Sequence, residues 1–345
     1  MTKYSQLLLD LQSGVYFSRI HGSPRPHSCR VPPQLVFAEQ ASGNLAHTIV
    51  MPVYNHAFAL HDTLSLLEKA ATLPHALVAI DDGSDDKSSE AIVEFFKKYR
   101  PSKLRSITVL RNETPIFETA CDNIGFYMAD TPFVIEVQAD LRVDELGFDA
   151  KMIRVLEHFG TASSCSGRCG HSFSSPSKFW PWDRWNFTAR LNASRVGLYD
   201  ESIEQPETSD RLRGFVYECE TVNRGPWALR RSDLQKFGFL NEGDFFLGDD
   251  DHDYHRRTFQ ANGARPLYLP MRAWSRLVEG AGRRERSGVN RDVWEELKRT
   301  RTGSEGYRRF LVERKKKVLP VRSIPWNMTS DQSARGLDID NGLGV

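Results

Sequence analysis

Apolar and polar positions fall into two regimes along the chain. From about residue 46 to 145, short unbroken apolar runs alternate with longer segments whose apolar residues recur at i, i+3 and i+4. The runs "HTIVMPV", "ALVAI", "LRSITVL" and "PFVIEV" read as buried strands, each followed closely by polar or turn-forming residues. Between them, "AFALHDTLSLLEKAATL", "KSSEAIVEFFKKYR" and a segment from about Glu118 to Asp130 have the period of amphipathic helices. Ser84 or Asp85 is the expected N-cap of the second helix, and Pro101 closes it. Strands alternating with helices predict parallel pairing and right-handed crossovers, which is the α/β class with a mostly parallel central sheet. Ligands of such sheets sit beyond the carboxyl ends of the strands. The residues at those ends are "PVYN", "DDGSDD" and "QAD", and all three can face one crevice.

The remaining segments are less periodic. Residues 1–45 form a mixed extension in which "HGSPRPHSCRVPP" is too rich in proline and polar residues for a regular element. Residues 146–278 contain the aromatic stretch "FWPWDRWNF", a strand leading to a short helix in "ETVNRGPWALRRSDLQKFGFL", and the acidic cluster "GDDDHDYHRR". Residues 279–345 are basic; "RDVWEELKRTR" predicts a helix, and a poorly ordered terminus is expected after Pro325.

Composition narrows the function classes. Forty-six basic residues against forty-five acidic ones leave a net charge of +1, so nothing global points to nucleic acid. No run reaches the roughly 18 apolar residues of a membrane span. The opening residues lack the pattern of a secretory signal, so a cytoplasmic location is expected. Five cysteines, an odd number, agree with that, and Cys165 and Cys169 of "CSGRC" lack a second pair at zinc-finger spacing.

Candidate chemistry sits at the strand ends and in the acidic cluster. Asp81 and Asp82 follow a strand, with Gly83 for the turn; they can accept hydrogen bonds from a base or ribose, or cap an ordinary turn. No GxGxxG or Walker A loop follows the first strand of the periodic region, which argues against nicotinamide chemistry and P-loop phosphoryl transfer. Asp140 can bind Mg²⁺ or Mn²⁺ together with a diphosphate, or serve as a loop acid. The four aspartates from Asp249 to Asp253 repel one another, so a solvated loop, a metal cage or a catalytic base are the readings to separate. Trp180, Trp182, Trp185 and Phe187 can form a sugar-stacking platform or pack a core.

The ordered set "TIVMPVYN", "LVAIDDGSDD", "RNE…ACDNIGFYMAD", "FVIEVQAD", "GPWALRRSDLQKFGFLNE" and "GDDDHDYHRR" resembles the family-2 inverting glycosyltransferases of the GT-A fold, over roughly Thr48 to Arg276. The resemblance implies a nucleotide-binding half over 46–145 and an acceptor half over 146–278. It gives nucleotide contacts to Pro52, Tyr54, Asn55, Asp81 and Asp82. The family's Arg-Asn pair falls on Asp122 and Asn123, so Asn123 keeps a donor role and the arginine is lost. The Asp-x-Asp motif falls on Gln138, Ala139 and Asp140, which leaves Asp140 as the metal ligand and Gln138 for the ribose.

A metal-ligating His expected after "LYLP" is replaced by "MRAWSRL", and Arg276, or Arg283 and Arg284, could neutralise the diphosphate instead. The Glu-Asp-x-Asp motif falls on Asp250 to Asp253, which makes Asp251 the base and Asp250 a positioning acid that lifts its neighbour's pKa. Asp253 and Arg257 have the spacing of a helix brace, and His252 is expected to be a loop or satisfied histidine rather than a ligand. Trp227 follows a segment near the donor sugar and joins Trp182 as an acceptor candidate. The implied activity moves a sugar from a nucleoside-diphosphate donor, a UDP-sugar by default, to an acceptor hydroxyl with Mn²⁺ or Mg²⁺. A sugar nucleotidyltransferase and a non-catalytic sugar-nucleotide-binding protein are the alternatives.

Overall fold

The four apolar runs form the parallel centre of a ten-stranded sheet. In the computed structural model, which describes residues 2–16, 31–40, 43–169, 214–275, 288–313 and 322–326, they are β2 (His47–Val53), β3 (His75–Asp81), β4 (Leu104–Arg111) and β5 (Phe133–Glu136). Their spatial order is β4-β3-β2-β5, parallel throughout. Such strands are buried on both faces, which is why their sequences are continuously apolar rather than alternating. Ile49, Met51, Leu77 and Ala79 point to one face, against Leu60, Leu64 and Leu67 of α2 (Ala57–Ala70) and Ile92, Phe95 and Phe96 of α3 (Ser88–Tyr99). Val50, Val78 and Ile80 point to the other, against Cys121 and Ile124 of α4 (Glu118–Met128). Helix α4 lies so close to the sheet that a Cβ at Gly125 would sit 2.2 Å from Val50 Cγ1.

The start of α3 differs from expectation. Its N-cap is Lys87, at φ +65°, and not Ser84 or Asp85. Ser84 Oγ is already taken by the Asn55 N–H at 2.9 Å, and the Ser84 N–H by Asp81 Oδ1 at 2.8 Å, so Ser84 belongs to the turn. Gly83 has φ +76°, and a Cβ there would press within 3.3 Å of the Pro115 ring. The tight turn read from its sequence is therefore required sterically.

The N-terminal extension contributes two elements to the fold. Helix α1 (Lys3–Ser13) starts at Thr2, whose Oγ1 accepts from the Ser5 N–H, and buries Leu7 and Leu11 beside Tyr127 of α4. Strand β1 (Gln34–Gln40) pairs antiparallel with β4 at the sheet edge. Its side chains are largely exposed, so no apolar run announces it.

Past β5 the sheet is mixed. The chain runs through β6 (Leu141–Val143) and α5 (Phe148–His158) to β7 (Cys165–Cys169), and resumes with β8 (Phe215–Glu218), β9 (Val222–Arg230) and the short helix α6 (Arg231–Phe237). Helix α7 (Asp250–Asn262) leads to β10 (Leu267–Tyr268) and β11 (Ala273–Ser275). Pairing here is antiparallel except where β10 runs parallel to β7. Strand β9 lies between β5 and β7 and is antiparallel to both, so its N-terminal residues reach the carboxyl end of β5.

The predicted C-terminal helix is α8 (Gly288–Leu297), continued by a π-turn, and α9 (Glu305–Glu313) follows. Strand β12 (Arg322–Pro325) then pairs with β8, an addition that no apolar pattern signalled. No helix among the described residues is long and apolar enough to cross a membrane.

Candidate active site

The carboxyl ends of β2 and β3 carry the expected donor residues, and the structure ties them to one another. Pro52 ends β2, Tyr54 is buried just beyond it, and Asn55 stands at φ +49°. Asn55 accepts the Asp85 N–H and donates its own N–H to Ser84 Oγ, both at 2.9 Å. Asp81 is fully buried, accepts from Ser89 Oγ at 2.5 Å, and pairs with the Arg111 guanidinium at 2.9 Å. Asp82 accepts from Asn112 Nδ2 and from the N–H groups of Ile116 and Phe117, at 2.8–2.9 Å.

Both acids thus organise the turn and the 112–117 loop. Asn123 is likewise consumed: its amide closes on Leu240 through Nδ2 and Oδ1 at 2.8 and 2.9 Å, and reaches Glu242. It fastens the 240–242 loop to α4 from a fully buried place.

The acidic cluster opens α7. Asp249 is the N-cap, at φ +61°, and Asp250, Asp251 and Asp253 occupy the first turn. Helix N-termini favour negative charge, so this placement offsets part of the mutual repulsion. Asp253 pairs with Arg257 at 2.8 Å, and Arg257 also donates to the Phe237 and Phe239 carbonyls, which makes the pair the helix brace its spacing predicted. Asp249, which the motif left without a role, accepts from the Tyr307 hydroxyl at 3.2 Å. His252 Nε2 stands 3.9 Å from Asp251 Oδ1, too far for a hydrogen bond.

Asp250 and Asp251 share one organiser, Arg224 of β9. Its guanidinium is buried against Asp250 at 3.1 Å, Glu118 at 3.4 Å and Asp122 in direct contact. Its backbone N–H donates to Asp251 Oδ2 at 3.3 Å. Burial alone would lower the Arg224 pKa, but Asp250, Glu118, Asp122 and Asp251 outweigh it and hold it well above the ordinary value. Burial pushes Asp250 up to about 6, with Arg224 opposing and Asp251 adding to the shift. Thr119 Oγ1 donates to the same carboxyl at 2.5 Å. Of the two, only Asp251 has any exposed surface, at 7 %.

At the end of β5, Gln138 donates to Glu118 and accepts from Arg168 Nη1 at 3.2 Å. Arg168 comes from β7, is partly buried, and also donates to the Arg224 carbonyl at 2.8 Å. Its charge faces Asp140, Glu136, Asp251 and Glu118. Burial lowers its pKa, these acids raise it again, and a guanidinium stays charged at neutral pH. Glu136 is buried with both oxygens unpartnered, and burial, with Asp122 adding, raises its pKa well above the carboxylate range.

Glu118, Asp122 and Glu136 bring oxygens within 4.8 Å of one another, a group able to hold a cation, and Arg224 already lies against two of them. Asp140, partly exposed at the strand end, fits a hard ion that takes one carboxylate and completes its shell from a diphosphate. Gln138 is the weaker ligand because its amide is engaged on both sides.

Residues 48–219, about half of the chain, match the family described as glycosyl transferase family 2. The chain belongs to that family. A dolichyl-phosphate beta-glucosyltransferase of Mus musculus is 33% identical over 73 residues, which cover 19% of this chain and 22% of that relative. The chain thus spans about a fifth of that relative's length. Solved structures similar to it include the mannosyltransferase PcManGT from Pyrobaculum calidifontis with GDP-Man and Mn²⁺, at 14% identity and TM-score 0.49, covering 92% of this chain and 77% of that one. GalNAc-T7 with UDP, GalNAc and Mn²⁺ is 17% identical at TM-score 0.47, covering 67% and 44%.

The sheet of this family-2 glycosyltransferase has the GT-A arrangement, parallel from β4 to β5 and mixed beyond β5. Asp250, Asp251 and Arg224 lie past the matched residues, so their place in the site rests on the geometry. Trp227 is corrected: it is wholly buried among Phe126, Tyr254 and His255, and an indole without exposed surface offers no platform to a sugar. Trp180, Trp182, Trp185, Phe187, Arg276, Arg283 and Arg284 lie outside the described residues.

Arg224, Arg168, Glu118 and Glu136 escaped the reading of the sequence. One signal pointed to Arg224. An acid at position 122, where the resemblance gives arginine, needs a cation from elsewhere, and β9 supplies it.

Proposed function

We propose that this glycosyltransferase moves a sugar from a nucleoside diphosphate to an acceptor hydroxyl by one inverting displacement, with Asp251 as the base. The observation that carries the reading is the Asp250–Asp251 pair at the start of α7, where Asp251 retains exposure and its carboxylate is aimed by the Arg224 N–H. As the acceptor oxygen bonds to the anomeric carbon, its proton passes to Asp251. The bond from that carbon to the phosphate oxygen breaks, and its electron pair leaves with the diphosphate. Asp250, locked between Thr119 and Arg224, fixes the helix start and does not meet substrate.

Pro52, Tyr54 and Asn55 line the donor end, and Asp140 would hold Mn²⁺ or Mg²⁺ at the diphosphate, with Gln138 toward the ribose. A bound ion supplies positive charge to the departing diphosphate. UDP-sugars are the first donors to test; GDP-mannose, bound in one of the similar structures, is the second.

Product analysis across a donor and acceptor panel tests the reading. Asp251→Asn is expected to fold normally, keep donor affinity and lose about 100-fold or more in kcat, the scale of a removed general base. Undiminished transfer by that variant would remove Asp251 from the base role.

A further inference from the structure

Where the family places a ribose-facing acid, this chain has Gln138, and the Gln138 amide oxygen is covered by a guanidinium. Arg168 reaches this point from β7, on the far side of β9, and its position is fixed at two acceptors, Gln138 Oε1 and the Arg224 carbonyl. Among the described residues both bonds leave from Nη1, while Nε–H is left without an acceptor. The side chain stays partly exposed, and its charge interacts with four carboxyl groups, those of Asp140, Glu136, Asp251 and Glu118.

Nε is buried, so a phosphate would meet this partly exposed guanidinium through Nη2, as one charge-assisted contact. Arg224 cannot serve in the same way, since its guanidinium is spent on Glu118, Asp122 and Asp250. The rest of the site explains why a fixed cation is needed: the carboxylates at the crevice repel an incoming diphosphate, and Asp140 is the one accessible acid at the strand end that a metal ion would mask.

We propose that Arg168 is a built-in cation for the donor's diphosphate, held beside Asp140 by Gln138, and that it gives the site a share of nucleotide binding that needs no divalent ion. The proposal rests on the sugar-nucleotide reading above and adds a residue to it. Gln138 is then a holder of Arg168 as much as a ribose contact, which accounts for an amide at a position the family gives to an acid.

The test is calorimetric titration of UDP and of GDP into the full chain, in EDTA and with Mn²⁺. Wild type is expected to bind one of the two in EDTA, more weakly as salt is raised, and more tightly with Mn²⁺. Arg168→Met should lose about tenfold of the EDTA affinity, the scale of one charge-assisted hydrogen bond. Asp140→Asn should keep or improve the EDTA affinity and lose the gain from Mn²⁺.

Binding of wild type only in the presence of Mn²⁺ overturns the proposal and leaves the donor reading intact. Equal EDTA affinity of Arg168→Met and wild type does the same. Binding of neither nucleotide under either condition overturns both. The wild-type titrations alone can overturn the proposal, so it stays open to refutation if Arg168→Met fails to fold.

Discussion

Asp250 and Asp251 are adjacent in the chain and opposite in surroundings. Asp250 is sealed, and burial holds its carboxyl at about 6, above the ordinary value near 3.9. The folded state therefore binds this proton more tightly than the unfolded state. Stability from the group is complete below about pH 4 and is lost as pH rises through 6. Urea unfolding between pH 4 and 7 should show wild type losing up to about 3 kcal/mol relative to Asp250→Asn across that window. Parallel curves for the two proteins would mean that Asp250 does not titrate there. The sequence made the motif legible at this scale, including the Asp253–Arg257 brace, because spacing within one helix is local. It did not distribute the roles of Asp250 and Asp251 by exposure, nor reveal Arg224 and Arg168, because those depend on strands from three places meeting at one point.

At the scale of elements, the central strands and their helices followed directly from periodicity, since buried parallel strands and amphipathic helices leave different patterns. Edge strands β1 and β12 did not, because exposed strands carry no apolar run. The packing of α4 on β2 shows what periodicity leaves out. Gly125 lies inside that helix, where alanine would gain about 1 kcal/mol of helix propensity. Its Cβ, however, would stand 2.2 Å from Val50 Cγ1, which the sheet holds in place. Overpacking of this kind costs about 1–3 kcal/mol, enough to outweigh the gain. Gly125→Ala should therefore lower the urea midpoint, and a rise would mean that α4 can shift outward freely. Because Thr119, Asp122 and Asn123 share the helix, such a shift would also move their contacts with Asp250, Arg224 and Leu240.

The whole molecule joins its C-terminal segment to the start of α7. Phe310 of α9 is buried against Phe245, Trp294 of α8 packs on Phe117 and Phe246, and Tyr307 donates to Asp249. Ser304 and Arg301 hold Asp244 and the Gly243 carbonyl. The segment read from the sequence as a basic appendage thus packs on residues 243–249, the loop that leads into Asp250 and Asp251. Removing a buried phenylalanine costs about 3–5 kcal/mol. Here the loss should be local, because the parallel centre of the sheet has its own core clusters on both faces.

Phe310→Ala is therefore expected to speed hydrogen exchange at amides 243–251 while β2 and β3 keep their protection. Sugar transfer should fall with it, through poorer placement of Asp251, while the affinity for nucleoside diphosphate at the strand ends is retained. Uniform loss of protection across the sheet would show instead that the C-terminal helices belong to the central cooperative unit. Unchanged exchange at 243–251 would mean that the loop holds its place without them.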